Sequence, residues 1–178
     1  MKIKIVLVAS AMALAVAGCM TPMASAPPAP AVSVTSAAEF VPTAVSSNLL
    51  EIESSRLALQ RARDPQVRRF AQQMIRDHNL ASRRMATVVR RAGLPMPQPA
   101  LIPRHQQMLA TVQAAPDFDA AYVGAQIAAH QEAVALFSSY GSNGDVAPLA
   151  AFARQTEPTL QMHLDHAQAL GGGTARPM

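Results

Sequence analysis

Apolar residues recur along most of this chain at the three-to-four-residue spacing of amphipathic helices. Val67, Phe70, Met74, Ala81, Met85, Val88 and Val89 form one such stripe and predict a helix from Pro65 to about Ala92. Asp64 stands at its N-cap, Pro65 suits its first turn, and Gly93 followed by Pro95, Pro97 and Pro99 ends it. An earlier helix is predicted from about Thr43 to Ala62, broken by Arg63-Asp64-Pro65. A Pro-rich crossover over 94–103 then leads to a short helix near 104–114. A third long helix is predicted from about Phe118 to Tyr140, with Val123, Ile127, Val134 and Phe137 on one face and Asp119 as its cap. Gly141-Ser142-Asn143-Gly144 reads as a turn, and Asp145 as the cap of a fourth long helix carrying Leu149, Phe152, Leu160, Ala167 and Leu170. Pro158 inside that helix predicts a kink, and residues 171–178 a flexible tail. The expected fold is therefore all-α: a four-helix bundle over residues 40–170, built of two hairpins with a crossover connection.

Composition supports helices. Hydrophobic residues make up 50% of the chain but aromatic residues only 4%, with no Trp, which argues against an all-β domain and against disorder. A single Cys excludes an internal disulfide framework and a Cys-rich zinc module. Residues 1–18 predict a lipoprotein signal peptide: Lys2 and Lys4 are basic, and Ile5 to Val16 are apolar but too few to span a bilayer. Val16-Ala17-Gly18-Cys19 resembles the bacterial lipoprotein box, which implies cleavage before Cys19 and lipidation of its thiol. Met20 at the next position implies, by the convention for such proteins, an outer-membrane lipoprotein on the periplasmic side of the bacterial envelope. Residues 19–39, with Pro22, Pro27, Pro28 and Pro30 among Ala, Ser and Thr, read as a lipidated tether. The expected partners are the membrane, through this anchor, and other envelope components.

Charge is uneven. Residues 39–104 hold 11 Arg and 5 acids, whereas residues 105–178 hold 2 Arg and 6 acids. Without aromatic residues between them, the Arg pairs Arg68-Arg69, Arg83-Arg84 and Arg90-Arg91 read as solvated helix faces and not as a nucleic-acid surface. There is no Gly-rich phosphate loop, no Gly-x-Ser-x-Gly elbow, no Cys nucleophile within the bundle, and no spacing that ties Ser and His into a triad.

Candidate chemistry comes from polar residues on the apolar stripes. His78 follows Met74 by four, His130 follows Ile127 by three, and His163 follows Leu160 by three, so three long helices each turn one His inward. The remaining helix offers Glu51 on a stripe of small residues that includes Ser47, Asn48, Ser55 and Ala58, with Glu53 nearby. Buried ionisable groups need a partner or a metal. Two readings follow. One is a transition-metal site (Zn, Cu or Fe) drawn from Glu51, His78, His130 and His163. The other is a hydrogen-bonded network in which Asp77 orients a neighbouring helix and His130 bonds Tyr122 or Glu51. Glu157 could join either, and His105 and His166 are expected at the surface. Shared ligation requires the three ring systems to present nitrogens within ~6 Å of one another. The ten Met are expected mainly to pack, with Met20 and Met23 in the tether.

These residues also resemble a known family. Glu51-Ile52 with Leu57-Ala58, Phe70-Ala71 with Asp77-His78, Phe118-Asp119 with Tyr122 and His130, and Pro158-Thr159-Leu160 with His163 are similar to the landmarks of domain-of-unknown-function family 4142. The resemblance covers about residues 40–170 and implies an exported, ferritin-like bundle. Ferritin-like di-iron sites use Glu-x-x-His motifs, and none occurs here, since Ile75, Ile127 and Leu160 stand three residues before the inward His residues. The sequence therefore favours a non-catalytic interaction or structural role for a lipid-anchored envelope protein. Metal buffering or oxidant handling in the periplasm is the alternative.

Overall fold

In the computed structural model, described for residues 33–174 and for side chains as far as Gly172, the chain is helical throughout with no strand. The signal peptide, Cys19, Met20, Met23 and residues 19–32 of the tether lie outside the described residues. Five helices follow in order: α1 (Ala37–Arg61), α2 (Pro65–Arg91), α3 (Pro103–Ala114), α4 (Phe118–Asn143) and α5 (Ala147–Thr174). The four long helices form a bundle in which α1 pairs with α2 and α4 with α5, while α1 also packs on α4 and α2 on α5. The short α3 lies against α1 and α4. No helix among the described residues is long and apolar enough to cross a membrane.

Local chemistry explains most boundaries. Asp64 accepts a hydrogen bond from the Gln66 amide at 2.6 Å, and Pro65 occupies the first turn of α2. Gly93 follows with φ of 70°, the left-handed conformation that closes a helix without a Cβ penalty. Other boundaries differ from expectation. Helix α1 begins at Ala37, capped by the Ser36 hydroxyl on the Ala38 amide, and carries Pro42 inside it. Helix α4 runs through the expected turn to Asn143 and ends on Gly144. It does so because Gly141 lets α5 approach closely: a Cβ there would sit 2.9 Å from the Arg154 Cγ. Helix α5 passes through Pro158 without interruption and continues over the glycines expected to be loose, as far as Thr174.

Two expected caps do other work. Asp117, not Asp119, caps α4 on the Ala120 amide. Asp119 reaches back to accept from the Arg63 and Asp64 amides at the α1–α2 turn. Asp145 accepts from the Ala37 amide and the Tyr140 hydroxyl, both at 2.9 Å, and so ties the start of α1 to the α4–α5 turn.

The bundle core is divided in two. One apolar cluster includes Phe40, Met85, Val89, Phe137, Tyr140, Leu149, Phe152 and Leu160, with the Phe40 and Tyr140 rings stacked at 4.0 Å. The other includes Ala58, Val67, Phe70, Met74, Val112, Tyr122, Val123, Ala167 and Leu170. On every long helix the polar candidate falls between the two: Glu51 between Ala44 and Ala58, His78 between Met74 and Met85, His130 between Val123 and Ala133, and His163 between Leu160 and Ala167. A polar layer thus crosses the bundle between two apolar ones.

His105, expected at the surface, is 1% exposed. The Ile102 amide donates to the Ser46 hydroxyl at 2.9 Å, and that hydroxyl donates to His105 Nδ1 at 2.7 Å. His105 Nε2 then donates to Glu132 at 3.2 Å. Both ring nitrogens are occupied, which makes His105 a pin holding the crossover to α1 and α4. Ser46→Ala would leave the imidazole nitrogen and the Ile102 amide without their partner. The variant should lose about 1–3 kcal/mol in urea denaturation, and unchanged stability would remove the pin from the account.

Candidate metal centre

Each inward histidine is oriented through one ring nitrogen. His78 Nδ1 donates to Glu51 Oε2 at 2.7 Å and to Asn48 Oδ1 at 2.9 Å. His130 Nδ1 donates to the Gln126 carbonyl of its own helix at 2.9 Å, with Glu51 Oε1 at 3.7 Å. His163 Nε2 on α5 donates to Asp77 Oδ2 on α2 at 3.0 Å. These acceptors fix the tautomers and aim each ring. The three ring centroids form a nearly equilateral triangle with sides of 5.5, 5.5 and 5.4 Å. One ring nitrogen from each residue lies within 4.8 Å of the other two.

The second nitrogen of each ring lacks a partner: His78 Nε2, His130 Nε2, His163 Nδ1 and Glu51 Oε1 are buried without a hydrogen bond. The contrast with His105 is informative: a histidine that serves only the fold here has both nitrogens satisfied, whereas each of these three has only one. Three nitrogen ligands at ~2.1 Å from one ion stand about 3.5 Å apart, so binding would draw the rings together by roughly 1 Å. The donor set, three imidazoles beside a carboxylate with no thiolate, suits Cu, Zn or Fe and not Ca or Mg.

Electrostatics agree with that role. Burial pushes the Glu51 carboxyl up, but the facing His78 and His130 imidazoles, the His78 hydrogen bond and His163 outweigh it and hold the group at about 2. Burial lowers His130 despite the nearby Glu51 carboxylate. Burial, with the neighbouring His78 and His130, brings His163 down to about 4 despite its bond to Asp77. At neutral pH the Glu51 carboxylate is anionic and burial keeps His130 and His163 neutral, the protonation state that ligation requires.

The remaining sequence candidates divide. Asp77 does orient a neighbouring helix, through His163. Tyr122 does not bond His130; its hydroxyl pairs with Ser55 at 2.8 Å, in the lower apolar cluster. Glu157 is half-buried, and no hydrogen bond or ion pair joins it to the three imidazoles. Glu53 pairs with Arg56 at 2.6 Å on the outer face of α1. His166 is exposed as expected, its ring against Phe70. Asn48 and Gln126 are the orienting residues that sequence reasoning missed. Asn48 stood on the small-residue stripe, but its acceptor role depends on α2 lying opposite. Ser46, His105 and Glu132 do align as hydroxyl, imidazole and carboxylate. Ser46 is fully buried and already accepts from Ile102, so this alignment is no nucleophile.

His163 makes the metal-free fold sensitive to acid. Its imidazole titrates near 4 when folded and near 6.5 when unfolded, so between those values only the unfolded chain takes up the proton. Stability is complete above about pH 6.5 and falls as pH drops toward 4, by about 3 kcal/mol from this residue. Urea titrations of metal-free protein at pH 7 and pH 4.5 should show that loss, and His163→Gln should flatten it. A pH-independent midpoint would contradict the buried, neutral imidazole.

Comparison with known proteins places the fold. The chain is similar to CopM in its Cu(II)-bound form, with a TM-score of 0.66 and 20% identity, covering 78% of this chain and 97% of that one. It is similar to CopM in an Ag-bound form, with a TM-score of 0.66 and 19% identity over 80% of this chain and 100% of that one. A DUF305 fragment from Deinococcus radiodurans gives a TM-score of 0.64 and 21% identity over 75% and 93%. At these identities the likeness establishes a shared helical bundle. No curated protein matches the chain. The model of one family, "Domain of unknown function (DUF4142)", matches residues 21–170, and the chain therefore belongs to that family.

Proposed function

We propose that this bundle binds a transition-metal ion, copper before zinc or iron, on His78, His130 and His163, with Glu51 supplying charge. The observation that carries this reading is the meeting of three imidazoles from three helices, a nitrogen of each within 4.8 Å of the others and one nitrogen of each without a partner. A closed hydrogen-bond network, the other reading the sequence left open, would satisfy both nitrogens of each ring, as His105 does. Copper ranks first because imidazole donors suit it and because a structural neighbour, CopM, occurs in copper- and silver-bound forms. Glu51 offsets the charge of the ion in a buried layer, while Asp77, Asn48 and Gln126 hold the rings in place. Such a site buffers or carries metal; nothing around it positions a second reactant. With the leader and Cys19 read as a lipoprotein signal, the proposed setting is the periplasmic face of the envelope, on a lipid tether. This metal-binding reading is the alternative that the sequence set beside a non-catalytic scaffold role, put first here because of the unpartnered imidazole nitrogens.

Elemental analysis of protein purified without a His tag, reconstituted with Cu(I), Cu(II) or Zn(II) and desalted, tests the reading. About one ion per chain is expected in the wild type and none in His130→Ala. Asp77→Asn should keep the site but weaken it about 10–100-fold, as loss of an orienting carboxylate does. Wild-type protein that stays metal-free, with an unchanged melting temperature on metal addition, would overturn it.

A further inference from the structure

The three imidazoles are at most 3% exposed, so an ion needs a way in. A cavity of about 260 Å³ opens between α1 and α2 under the crossover segment. Its rim includes exposed Arg56 and Pro99 and the partly exposed Met96. Its inner end is formed by Glu51 and His78, which belong to the polar layer. One depression thus runs from solvent to two of the four site residues.

We propose that this cavity is the route by which the ion reaches the histidine triangle, and that it admits a soft monovalent ion, Cu(I) or Ag(I), ahead of a divalent one. The inference rests on the metal reading above. Three features of the walls argue for it. The inner end carries acceptors without partners, Glu51 Oε1 and His78 Nε2, which draw a cation inward. The walls between are largely apolar, with Val45, Ile52, Phe137, Phe152 and Leu160, so an entering ion sheds water. Desolvation scales with the square of the charge, so a divalent ion of similar size loses about four times as much hydration energy. Two thioethers also line the cavity, Met96 at the rim and the buried Met85, beside oxygen donors such as Ser47, Asn48 and Thr156, and sulfur suits a soft ion stripped of water.

Asn48 stands at the inner end as a bridge. Its amide donates to Ser82 on α2 and its carbonyl accepts from His78, so one side chain spans both walls of the cavity. Opening that bridge is a local event and leaves the two apolar clusters intact.

A route differs from a ligand in its kinetics. Narrowing it raises the barrier for entry and exit alike and leaves the equilibrium unchanged. Ala81→Phe on α2 and Val45→Phe on α1 place bulk into the cavity from opposite walls, and neither residue bonds the site. Leu80→Phe, at a half-exposed position of α2 outside the cavity, is the control. Uptake of Cu(I) is followed by rapid mixing, and its release by capture on excess bathocuproine disulfonate. Both rates should fall about tenfold or more in the two cavity variants, with their ratio within about twofold of wild type and the control unchanged. Zn(II) should enter the wild type about tenfold or more slowly than Cu(I).

Melting curves establish that each variant is folded; if Ala81→Phe is not, Val45→Phe carries the test. Folded cavity variants that load and release at wild-type rates would overturn the route, and Zn(II) entry as fast as Cu(I) would overturn the preference. Wild-type protein that takes up no ion at all would overturn the metal reading and this inference with it.

Discussion

Burying a carboxylate and three imidazoles across the middle of a helical bundle is the constraint on which this structure turns. Each group taken from water without a partner costs several kcal/mol. The fold answers with orienting acceptors for every ring, Glu51 and Asn48 of α1 for His78, the α4 backbone for His130 and Asp77 of α2 for His163. Those bonds join α1 to α2 and α2 to α5, so the polar layer also sets the register of these three helices. A shift of α5 by one turn along α2 would part His163 from Asp77 and bring an apolar residue into the layer.

The two apolar clusters on either side make the layer rigid. Aromatic contacts at one end, Phe40 with Tyr140 and Phe137, and at the other, Phe70 and Phe118 with Tyr122, lock the helices above and below it. Asp145 closes one end of the bundle, Asp119 ties the turn at the other, and the Ser46–His105–Glu132 chain holds the crossover. None of these groups hydrogen-bonds one of the three inward imidazoles. Together they keep three rings on one centre to within an ångström or so of ligand geometry, which is what preorganisation demands.

The unsatisfied half of the layer then acquires meaning. Fully bonded polar networks rigidify a core, whereas half-bonded ones weaken it. Here each of the three neighbouring rings has one nitrogen without a partner, beside an ionised carboxylate. A cation would supply the charge and the contacts that the protein withholds, and the cavity beside Glu51 and His78 gives the same site a side open to exchange. Membership of DUF4142 and the likeness to CopM and DUF305 bundles speak to the helical fold and not to its ligand.

The sequence alone determined the helical class, the two hairpins with their crossover, α2 almost to the residue, and the inward direction of Glu51, His78, His130 and His163. It could do so because helical periodicity and Gly, Pro and Asp signals act within a few residues. Proximity across the bundle is a different kind of information. Periodicity says that a histidine faces in, but not which atoms of another helix meet it. For that reason Asn48 and Gln126 went unrecognised, Tyr122 was matched to the wrong partner, and His105 was placed at the surface although α1 and α4 close over it. Asp119 and Asp145 failed as caps for the same reason: a short carboxylate takes the nearest unsatisfied amide, and only the packed helices decide which amide that is. The convergence of three ring nitrogens is likewise a property of helix register, fixed when the two apolar clusters close on either side.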